Sequence, residues 1–352
     1  MTARLCALAE KLSAHTAALV SAPHHLRYLT GYPSGESWLF VTQEKAYFLT
    51  DFRYIELAEQ TVQGAECRMI ARVEEELRVL VERHGITAVY AEETHTTAAE
   101  YRRLRESIPL EAGELDAWLL ELRTVKSDDE VKKIAAAQAV TEAGFAHILT
   151  FLREGVTERE VALELEFYMR RHGAERMAFD SIAASGANGS QPHAIPSDKP
   201  LCRGEFITLD FGAVVDGYHS DMTRTVALGE VSEEQRAVYN TVLQAQETAL
   251  GMLSAGVSCV EGDAAARRVI EAAGYGKHFG HGLGHGVGLE IHEHPRLSPL
   301  AKDQPLRAGQ VVTVEPGIYL PSRFGVRIED MVLITEQGYH NFTHTPKELI
   351  CL

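Results

Sequence analysis

The sequence of 352 residues has few cysteines, no cluster of basic residues and no long apolar run. Its five cysteines are scattered and form no C-x-x-C pair, which disfavours a disulfide framework or a zinc–thiolate site and favours a reducing cytoplasm. The formal net charge of −16 disfavours nucleic acid and anionic membrane surfaces as partners. No stretch reaches the roughly 18 uninterrupted apolar residues of a spanning helix, and the N-terminal segment is too polar for a signal peptide.

The chain length suits two domains, and the pattern changes near residue 122. In residues 1–122, runs rich in β-formers alternate with helical patterns, which predicts a small α/β domain. No glycine-rich phosphate loop follows any of these strands, so no nucleotide site is expected there. The predicted strands are ALVSAP, SWLFVT, KAYFLTD, CRMIAR and AVYAEE, and the predicted helices lie around Arg53–Gln60, Val73–His84 and Thr97–Ser107.

Residues 123–352 carry the same helix–helix–strand pattern twice, offset by about one hundred residues. A capping box opens the first helix of each copy, at Ser127 with Glu130 and at Ser232 with Gln235. The second helix is bounded in each copy by glycines 18 residues apart, over Gly155–Gly173 and Gly256–Gly274. Chance resemblance of generic helices explains any one match, but the shared order and offset favour an internal duplication.

Each copy then drives an acid into an apolar strand, GEFITLDFG from Gly204 and GQVVTVEPG from Gly309. After Asp210, the pair Asp216–Gly217 is a strong signal for a two-residue hairpin turn. Such a turn places Gly212 opposite Asp221, so Asp210 and Asp221 become diagonal neighbours on one face, about 7–8 Å apart at the backbone. A loop one residue longer would separate them onto opposite faces. By the same alternation, Arg224 lies on the other face from Asp221.

In the second copy, Glu315 ends the strand VVTV, and GVRIEDMVLI is predicted to be one strand with Arg327 and Glu329 on a common face. Arg327 is expected beside one of these two glutamates, and Asp330 is interpreted as a solvated neighbour of Glu329. Four acids on half-buried strands repel each other, so they need a shared proton, a basic partner or a cation. As a set they favour a metal site.

The stretch HFGHGLGHGVGLEIHEHP, residues 278–295, interleaves histidines with glycines, which allow close approach of the backbone to a site. His285 is the candidate ligand, His281 and His292 are expected to line the cavity, and the outer histidines are interpreted as loop residues. His193, in the loop GSQPHAIPSDK, is a candidate for the same cavity, although alone it resembles an ordinary loop histidine. Carboxylates with one imidazole suit Mn²⁺, Co²⁺ or Zn²⁺ and can hold two ions.

Several motifs resemble those of the pita-bread metallopeptidases, family M24, which include methionine aminopeptidase, aminopeptidase P and prolidase. LDFGA, SDMTRT, GHGLGHGVGLEIHE, VEPGIY and GVRIED are similar to the proline-directed branch, from about residue 125 to the end. YLTGYPSGESWLFVT and AYFLTDFRY resemble the accessory domain of that branch, which methionine aminopeptidases lack. The resemblance implies an α+β fold: a C-terminal pita-bread catalytic domain (123–352) with a pseudo-twofold duplication, after a smaller creatinase-like α/β domain (1–122).

The resemblance also implies roles for individual residues around two divalent ions, with Mn²⁺ first and Co²⁺ or Zn²⁺ as alternatives. The metal ligands would be Asp210, Asp221, His285, Glu315 and Glu329, with Asp221 and His285 each serving one ion and the others shared. Glu315 would also be the general base. His193 and His292 would steady the substrate carbonyl, and His281 and Arg327 would lie near the proline side.

The expected activity is hydrolysis of the Xaa-Pro bond at the N-terminus of short peptides, with Xaa-Pro dipeptidase first and aminopeptidase P on longer peptides as the alternative. Arg327 or the histidines are the candidates to bind a dipeptide carboxylate. A metal-free creatinase-like hydrolase or a non-enzymatic binding module is a remoter possibility, against which the five intact ligand positions argue. A homodimer is expected by analogy. The sequence leaves open the substrate length, the native metal and the residue preferred before proline.

Overall fold

The computed structural model describes residues 1–33, 35–301 and 304–352. They form two compact units, Met1–Arg123 and Thr124–Leu352. Within these described ranges, no helix combines the length and the apolar character that crossing a membrane requires.

The first unit is built on a six-stranded mixed sheet in the order β4 (Glu66–Met69), β3 (Ala46–Thr50), β2 (Ser37–Thr42), β1 (Thr16–Val20), β5 (Ala88–Ala91) and β6 (Leu110–Glu111), and helix α4 (Val73–His84) packs against it. β1 pairs antiparallel with β2 and parallel with β5, and the apolar residues Phe40, Leu49 and Val89 are buried in the sheet beneath Leu77 of helix α4. The elements are α1 (Ala3–Ala9), β1 (Thr16–Val20), α2 (Pro23–Thr30), β2 (Ser37–Thr42), β3 (Ala46–Thr50), α3 (Ile55–Thr61), β4 (Glu66–Met69), α4 (Val73–His84), β5 (Ala88–Ala91), α5 (Ala98–Arg105), β6 (Leu110–Glu111) and α6 (Leu115–Thr124).

The predicted alternation of strands and helices in this unit is confirmed, and SWLFVT and Val73–His84 have the predicted bounds. The predicted strand ALVSAP is wrong after Val20, because Pro23 opens helix α2 instead. The N–H at the first position of a helix has no partner within the helix, so proline loses no hydrogen bond there. The fixed φ angle of proline also suits the helix. β6 is only two residues long, too short for alternation to reveal. α6 is missing from the predicted helices, although Leu115, Trp118, Leu119 and Leu122 have helical spacing.

The second unit packs long helices over antiparallel sheets. Its elements are α7 (Asp128–Phe151), α8 (Glu158–Arg171), β7 (Arg176–Met177), β8 (Ile182–Ser185), a 3₁₀ turn (Gly186–Ser190), β9 (Glu205–Phe211), β10 (Ala213–Val215), β11 (Tyr218–His219), β12 (Met222–Leu228), α9 (Glu233–Leu250), α10 (Cys259–Ala272), a 3₁₀ turn (Gly276–His278), β13 (Gly284–Gly286), β14 (Glu293–Leu297), β15 (Val311–Val314), β16 (Gly317–Leu320), β17 (Phe324–Arg327), β18 (Asp330–Thr335) and β19 (Gly338–Asn341).

The predicted duplication is present in this unit, which has the α+β fold expected from the resemblance. Both capping boxes form, and each copy continues into a hairpin, β9 with β12 and β15 with β18. The chain before the second helix of each copy also makes an equivalent isolated bridge, Thr157 to Pro200 and Ser258 to Pro305. Each half has its own apolar core, one around Ile207 and Leu209 and one around Val312 and Val314.

The prediction that GVRIEDMVLI is a single strand is wrong. β17 pairs with β16 in a two-stranded sheet, and β18 pairs with β15 in another. Between them the backbone leaves the ladder at Glu329, whose N–H donates to the carbonyl of Thr223, 3.0 Å away, in the other half of the unit. The break therefore joins the two copies where their acids lie.

Candidate active site

The hairpin that carries the first acid pair has the predicted turn. Asp216 and Gly217 take positive φ angles of 51° and 77°, and Val215 pairs with Tyr218. Asp210 then pairs with Thr223, and Phe211 with Met222, so the next position opposes Gly212 to Asp221. The turn chemistry thereby places Asp210 and Asp221 diagonally on the same face.

The second acid pair is set by the register of the other hairpin. Val314 pairs with Asp330 and Gly317 with Arg327, so the positions between them oppose Glu315 to Glu329. The hydroxyl of Thr223, the strand partner of Asp210, donates to Oε2 of Glu329 at 2.7 Å. This single threonine links the acid pairs of the two halves.

His285 occupies strand β13 between two glycines. A Cβ added to Gly284 would lie 2.0 Å from the carbonyl oxygen of Thr313, so only glycine allows this approach of the two strands. The His285 N–H donates to the Thr313 hydroxyl at 3.1 Å, and its Nδ1 lies 3.1 Å from the carbonyl of Gly286. Its Nε2 lies 3.3 Å from Oε1 of Glu315 and 3.6 Å from Oδ2 of Asp221.

A buried ion pair on helix α10 holds the backbone that leads to His285. Asp263 is 1% exposed and accepts from Arg267 at 2.8 Å and from the N–H of Leu283 at 2.9 Å. The guanidinium of Arg267 also donates to the carbonyls of Phe279 and His281, each at 2.9 Å. The glycine-rich stretch is therefore anchored at its entry.

The acids and His285 have the geometry of a cation site. Asp221, His285 and Glu329 can each offer a ligand atom within 4.8 Å of the others. Oδ1 of Asp210 and Oε1 of Glu329 are buried and have no hydrogen-bond partner among the described residues. Because unsatisfied buried carboxylate oxygens are costly, these atoms fit a bound divalent cation.

Protonation within the cluster follows from burial and from the neighbouring charges. Burial raises the pKa of Asp221 and Glu329 well above the ordinary range, and neighbouring carboxylates add to this rise. Burial would lower the pKa of His285, but the hydrogen bond and charge of Glu315 raise it to about 9. Burial would raise the pKa of Glu315, but His285 lowers it to about 2. Without a cation, the raised pKa values therefore keep protons on acids of the cluster. A bound cation would balance the negative charge in place of these protons.

Arg327 forms its ion pair with an acid of the first copy, which the sequence did not predict, and it also lies near enough to Glu315 for that charge to raise its pKa. Its Nη2 lies 2.5 Å from Oδ2 of Asp210, and its Nη1 donates to the hydroxyl of Tyr319 at 2.8 Å. Strand β17 lies against β12, where Thr225 bonds both the N–H and the carbonyl of Arg327, and this packing directs the guanidinium toward the first half.

Asp330 is not solvated, contrary to expectation. It is fully buried and accepts from Arg224 at 2.8 Å and from Lys347 at 3.1 Å. Arg224 projects away from Asp221, as predicted, and this partner on the other face explains why Asp330 tolerates burial. Asp330 therefore does not belong to the acid cluster.

The predicted histidines lie around the acids at different depths. His281 Nε2 is 2.9 Å from the hydroxyl of Tyr319, and burial lowers the pKa of His281. His292 is exposed and meets the His285 ring edge-on, with centroids 4.4 Å apart. His193 is exposed and lines the same cavities. The structure thus brings all nine predicted residues to one site.

Two adjoining cavities open onto the acids. One, of about 390 Å³, has an apolar side formed by Phe179, Ile182, Ile195 and Ile291. The other, of about 290 Å³, is lined by charged and polar groups, including His281, Glu315, Arg327 and Arg296. A pocket with an apolar wall and a few convergent polar groups is the usual form of a site for a small substrate.

Sequence reasoning missed two residues of this site. Tyr319 follows Glu315 by four positions in VEPGIY and carries no signal by itself, because a buried aromatic is usually a core residue. Arg296 is the strand partner of His285, so it shares the face of that histidine and projects over the cavity. Only the β13–β14 register reveals this, because β14 contains a proline and reads poorly as a strand.

The duplicated fold and its cluster of four carboxylates and one imidazole define a metal-dependent hydrolase of the pita-bread type. Residues 132–336 match "Metallopeptidase family M24", and residues 4–125 match "Creatinase/Prolidase N-terminal domain". The chain belongs to metallopeptidase family M24 and is a metallopeptidase.

Named relatives fall in the proline-directed branch. The chain is 43% identical to the "Xaa-Pro dipeptidase" of Pyrococcus horikoshii over 240 residues, which cover 68% of each chain. It is similar in structure to the "Xaa-Pro dipeptidase from Bacillus anthracis", with 39% identity, 99% of each chain covered and a TM-score of 0.94. It is also similar to the "X-Pro aminopeptidase from Thermotoga maritima", with 36% identity, 98% of this chain and 99% of that chain covered, and a TM-score of 0.91.

Proposed function

We propose that the chain is an Xaa-Pro dipeptidase whose catalytic domain is residues 123–352, preceded by an accessory domain in residues 1–122. The observation that carries the proposal is a cavity lined both by the carboxylate–histidine cluster and by the exposed guanidinium of Arg296. A dipeptide carries a free amine at one end and a carboxylate at the other. The acids suit the amine, and Arg296 suits the carboxylate.

The five proposed ligands are Asp210, Asp221, His285, Glu315 and Glu329, and the unsatisfied oxygens of Asp210 and Glu329 support the assignment. Two divalent ions bound there would polarise the scissile carbonyl and lower the pKa of a water molecule. We propose Mn²⁺ as the native metal, with Co²⁺ or Zn²⁺ as alternatives, because carboxylates with one imidazole suit these ions. Metal analysis of protein purified without added metal tests this choice.

The side chains around the cluster supply the proton transfers and the orientation. Glu315 is ionised at neutral pH, since His285 holds its pKa low, so its carboxylate can take a proton from the attacking water and pass it to the proline nitrogen. His193 and His292 are exposed at the cavity, where their ring N–H groups can donate to the carbonyl oxygen as negative charge develops. His281 and Arg327 border the proline side.

Substrate length depends on which cation is available for the terminal carboxylate. Arg327 or the histidines were the candidates from sequence, but Arg327 is 3% exposed and its guanidinium is already bound to Asp210, Thr223 and Tyr319. Arg296 is exposed, and its side chain makes no ion pair within the described ranges of the chain. We therefore assign carboxylate recognition to Arg296.

The exposure of Arg296 also supports aminopeptidase P activity as the alternative, because a longer peptide could pass beside an exposed side chain. Similarity to the Thermotoga maritima aminopeptidase is compatible with that alternative. A metal-free hydrolase or a binding module accounts poorly for buried carboxylate oxygens without partners.

Hydrolysis of Ala-Pro and Ala-Pro-Ala, measured after chelation and after adding Mn²⁺, Co²⁺ or Zn²⁺ separately, tests the proposal. We expect metal-dependent release of alanine from both peptides, with the higher kcat/KM for Ala-Pro. A higher value for Ala-Pro-Ala would establish the aminopeptidase alternative. Full activity after exhaustive chelation, or none with any of the three metals, would refute the metallopeptidase mechanism proposed for this site.

Two further proposals concern the whole protein. We propose a homodimer, by analogy with relatives, and light scattering coupled to size-exclusion chromatography tests it. We also propose a cytoplasmic location, since five scattered free cysteines suit a reducing compartment. Fractionation of cells that produce the protein, with an antibody against it, tests the location.

A further inference from the structure

One buried carboxylate outside the acid cluster is surrounded by hydrogen-bond donors. Glu158, the first residue of α8, is 0% exposed and accepts five hydrogen bonds. Oε1 accepts from the N–H and the hydroxyl of Ser185, at 2.6 and 2.9 Å. Oε2 accepts from the Asn188 amide at 2.8 Å and from the N–H and the hydroxyl of Ser197, at 3.1 and 2.7 Å. Charge-assisted bonds of this kind replace the solvent that a buried carboxylate loses.

All five donors belong to the segment 185–197, which carries His193 and Ile195. Ser185 lies at its start, Asn188 in its first turn and Ser197 at its end, so one carboxylate ties together both stems of the loop. His193 and Ile195 lie between these ties and line the cavity, although Ile195 is 82% exposed. An exposed apolar side chain at a cavity has few contacts of its own to hold it in place.

The fold of this region has other supports. The backbone N–H groups of Glu158 and Arg159 donate to the carbonyls of Lys199 and Ser197, at 3.1 and 3.0 Å. β8 is held by β9 along its whole length, from Ile182 to Ser185. Removing the Glu158 charge therefore loosens the loop without removing the bonds that attach its stems to the domain.

We propose that Glu158 is a positioning residue that fixes His193 and Ile195 against the substrate. The proposal rests on the proposed function, because it gives His193 a place beside the substrate carbonyl. Displacement of a catalytic group by about 1 Å can reduce the rate about 100-fold, so a carboxylate that sets the loop conformation controls turnover without touching the substrate.

Glu158→Gln tests the proposal, with Glu160→Gln as the matched control on the same helix. Glu160 is exposed, and among the residues that the structure describes its carboxylate accepts only from Thr157, in the capping box. In Glu158→Gln an NH₂ group replaces one acceptor oxygen and faces at least two donors. We expect kcat/KM for Ala-Pro to fall at least tenfold in Glu158→Gln and to change less than twofold in Glu160→Gln, at equal metal content. Hydrogen exchange should accelerate at least tenfold over residues 186–197 and stay unchanged in β9 and β15.

A double-mutant cycle with His193→Ala separates positioning from general stability. We expect Glu158→Gln to cost less than threefold when His193 is already alanine. Independent, multiplicative losses would overturn the proposal, as would a Glu158→Gln variant that matches Glu160→Gln in both activity and exchange. If Glu158→Gln does not fold, Ser197→Ala removes one donor and should show the same changes at smaller size. If the wild type does not cleave Ala-Pro, the proposed function fails, while hydrogen exchange still tests the loop attachment.

Discussion

The guanidinium of Arg327, on strand β17, lies 2.5 Å from the carboxylate of Asp210, on strand β9. The two residues belong to different copies of the duplicated pattern, and their side chains are 4% exposed for Arg327 and 13% exposed for Asp210. The same guanidinium reaches Tyr319, whose hydroxyl lies 2.9 Å from His281. A continuous hydrogen-bonded chain therefore runs from an acid of the first copy to a histidine of the second copy.

Tyr319→Phe removes the middle of this chain without changing its shape. We expect kcat for Ala-Pro to fall about 10- to 100-fold with little change in KM, because His281 and Arg327 lose the hydroxyl that orients both of them. Folding stability should also fall by about 1–3 kcal/mol, because the buried Arg327 N–H loses an acceptor. The steady-state kinetics of Tyr319→Phe are compared with those of Tyr339→Phe, which alters an exposed tyrosine on β19. Equal rates for the two variants would show that the hydroxyl does not contribute to turnover.

Arg296→Ala should raise KM for Ala-Pro about tenfold or more while changing Ala-Pro-Ala less than threefold. The proposed partner of this guanidinium is the carboxylate directly after proline, which only the dipeptide presents there. Arg296→Lys should restore part of the loss, because lysine keeps the charge without the bidentate geometry. Arg236→Ala, on the exposed side of α9, is the control. A parallel loss on both peptides would contradict the assignment.

Asp221→Ala and His285→Ala should each lower kcat/KM more than about 100-fold and reduce bound metal, since loss of even an outer partner of a metal ligand costs 10- to 100-fold. Asp221→Ala should fold because it removes a repelling carboxylate, and His285→Ala should fold because the remaining acids can balance the loss of the imidazole by taking up a proton. Circular dichroism and metal analysis accompany the kinetics. Near-normal rates with a normal metal content would exclude the altered residue from the ligand set.

The chelated protein should lose stability as pH rises from about 6.5 to 9. The folded pKa of His285 lies above its unfolded value, so its contribution is complete below about 6.5 and is lost through about 9. Asp221 and Glu329 also have raised pKa values, so they too make the folded protein less stable as pH rises above about 4. Glu315 has a lowered pKa, so it stabilises the folded protein above about pH 4.5. This stabilisation is lost only as pH falls from about 4.5 toward 2, which lies below the range from about 6.5 to 9.

Thermal unfolding in EDTA and in Mn²⁺ from pH 5 to 9 measures this dependence. Stabilisation by Mn²⁺ should grow with pH, because protons compete with the metal for the ligands. Chelated Glu329→Gln should melt about 3 °C or more above the chelated wild type at pH 9, since 1 kcal/mol corresponds to roughly 2–4 °C for a domain of this size. Exposed Glu336→Gln should match the wild type. A chelated protein whose melting temperature rises toward pH 9 would contradict the protonation described for the cluster.

Local pattern predicted the first hairpin in full. The turn at Asp216–Gly217 and strand alternation together placed Asp210 and Asp221 on one face, and the structure has that register. The same rule failed at GVRIED, where alternation continued through a point at which the strand breaks. The break depends on a backbone bond from Glu329 to Thr223, more than one hundred residues away, and no local pattern contains that information.

Local patterns were enough to predict the duplication, the faces of the first hairpin and the kinds of group that gather at the site, because turn chemistry and side-chain alternation act over a few residues. The partner that each of these groups meets depends on the folded chain. Folding joined Arg327 to Asp210, buried Asp330 against Arg224, and brought Tyr319, Arg296 and Glu158 to their places around the cavity. The physical reason is that a strand's period tells which face a side chain takes, whereas the group it meets depends on how separate hairpins and helices pack.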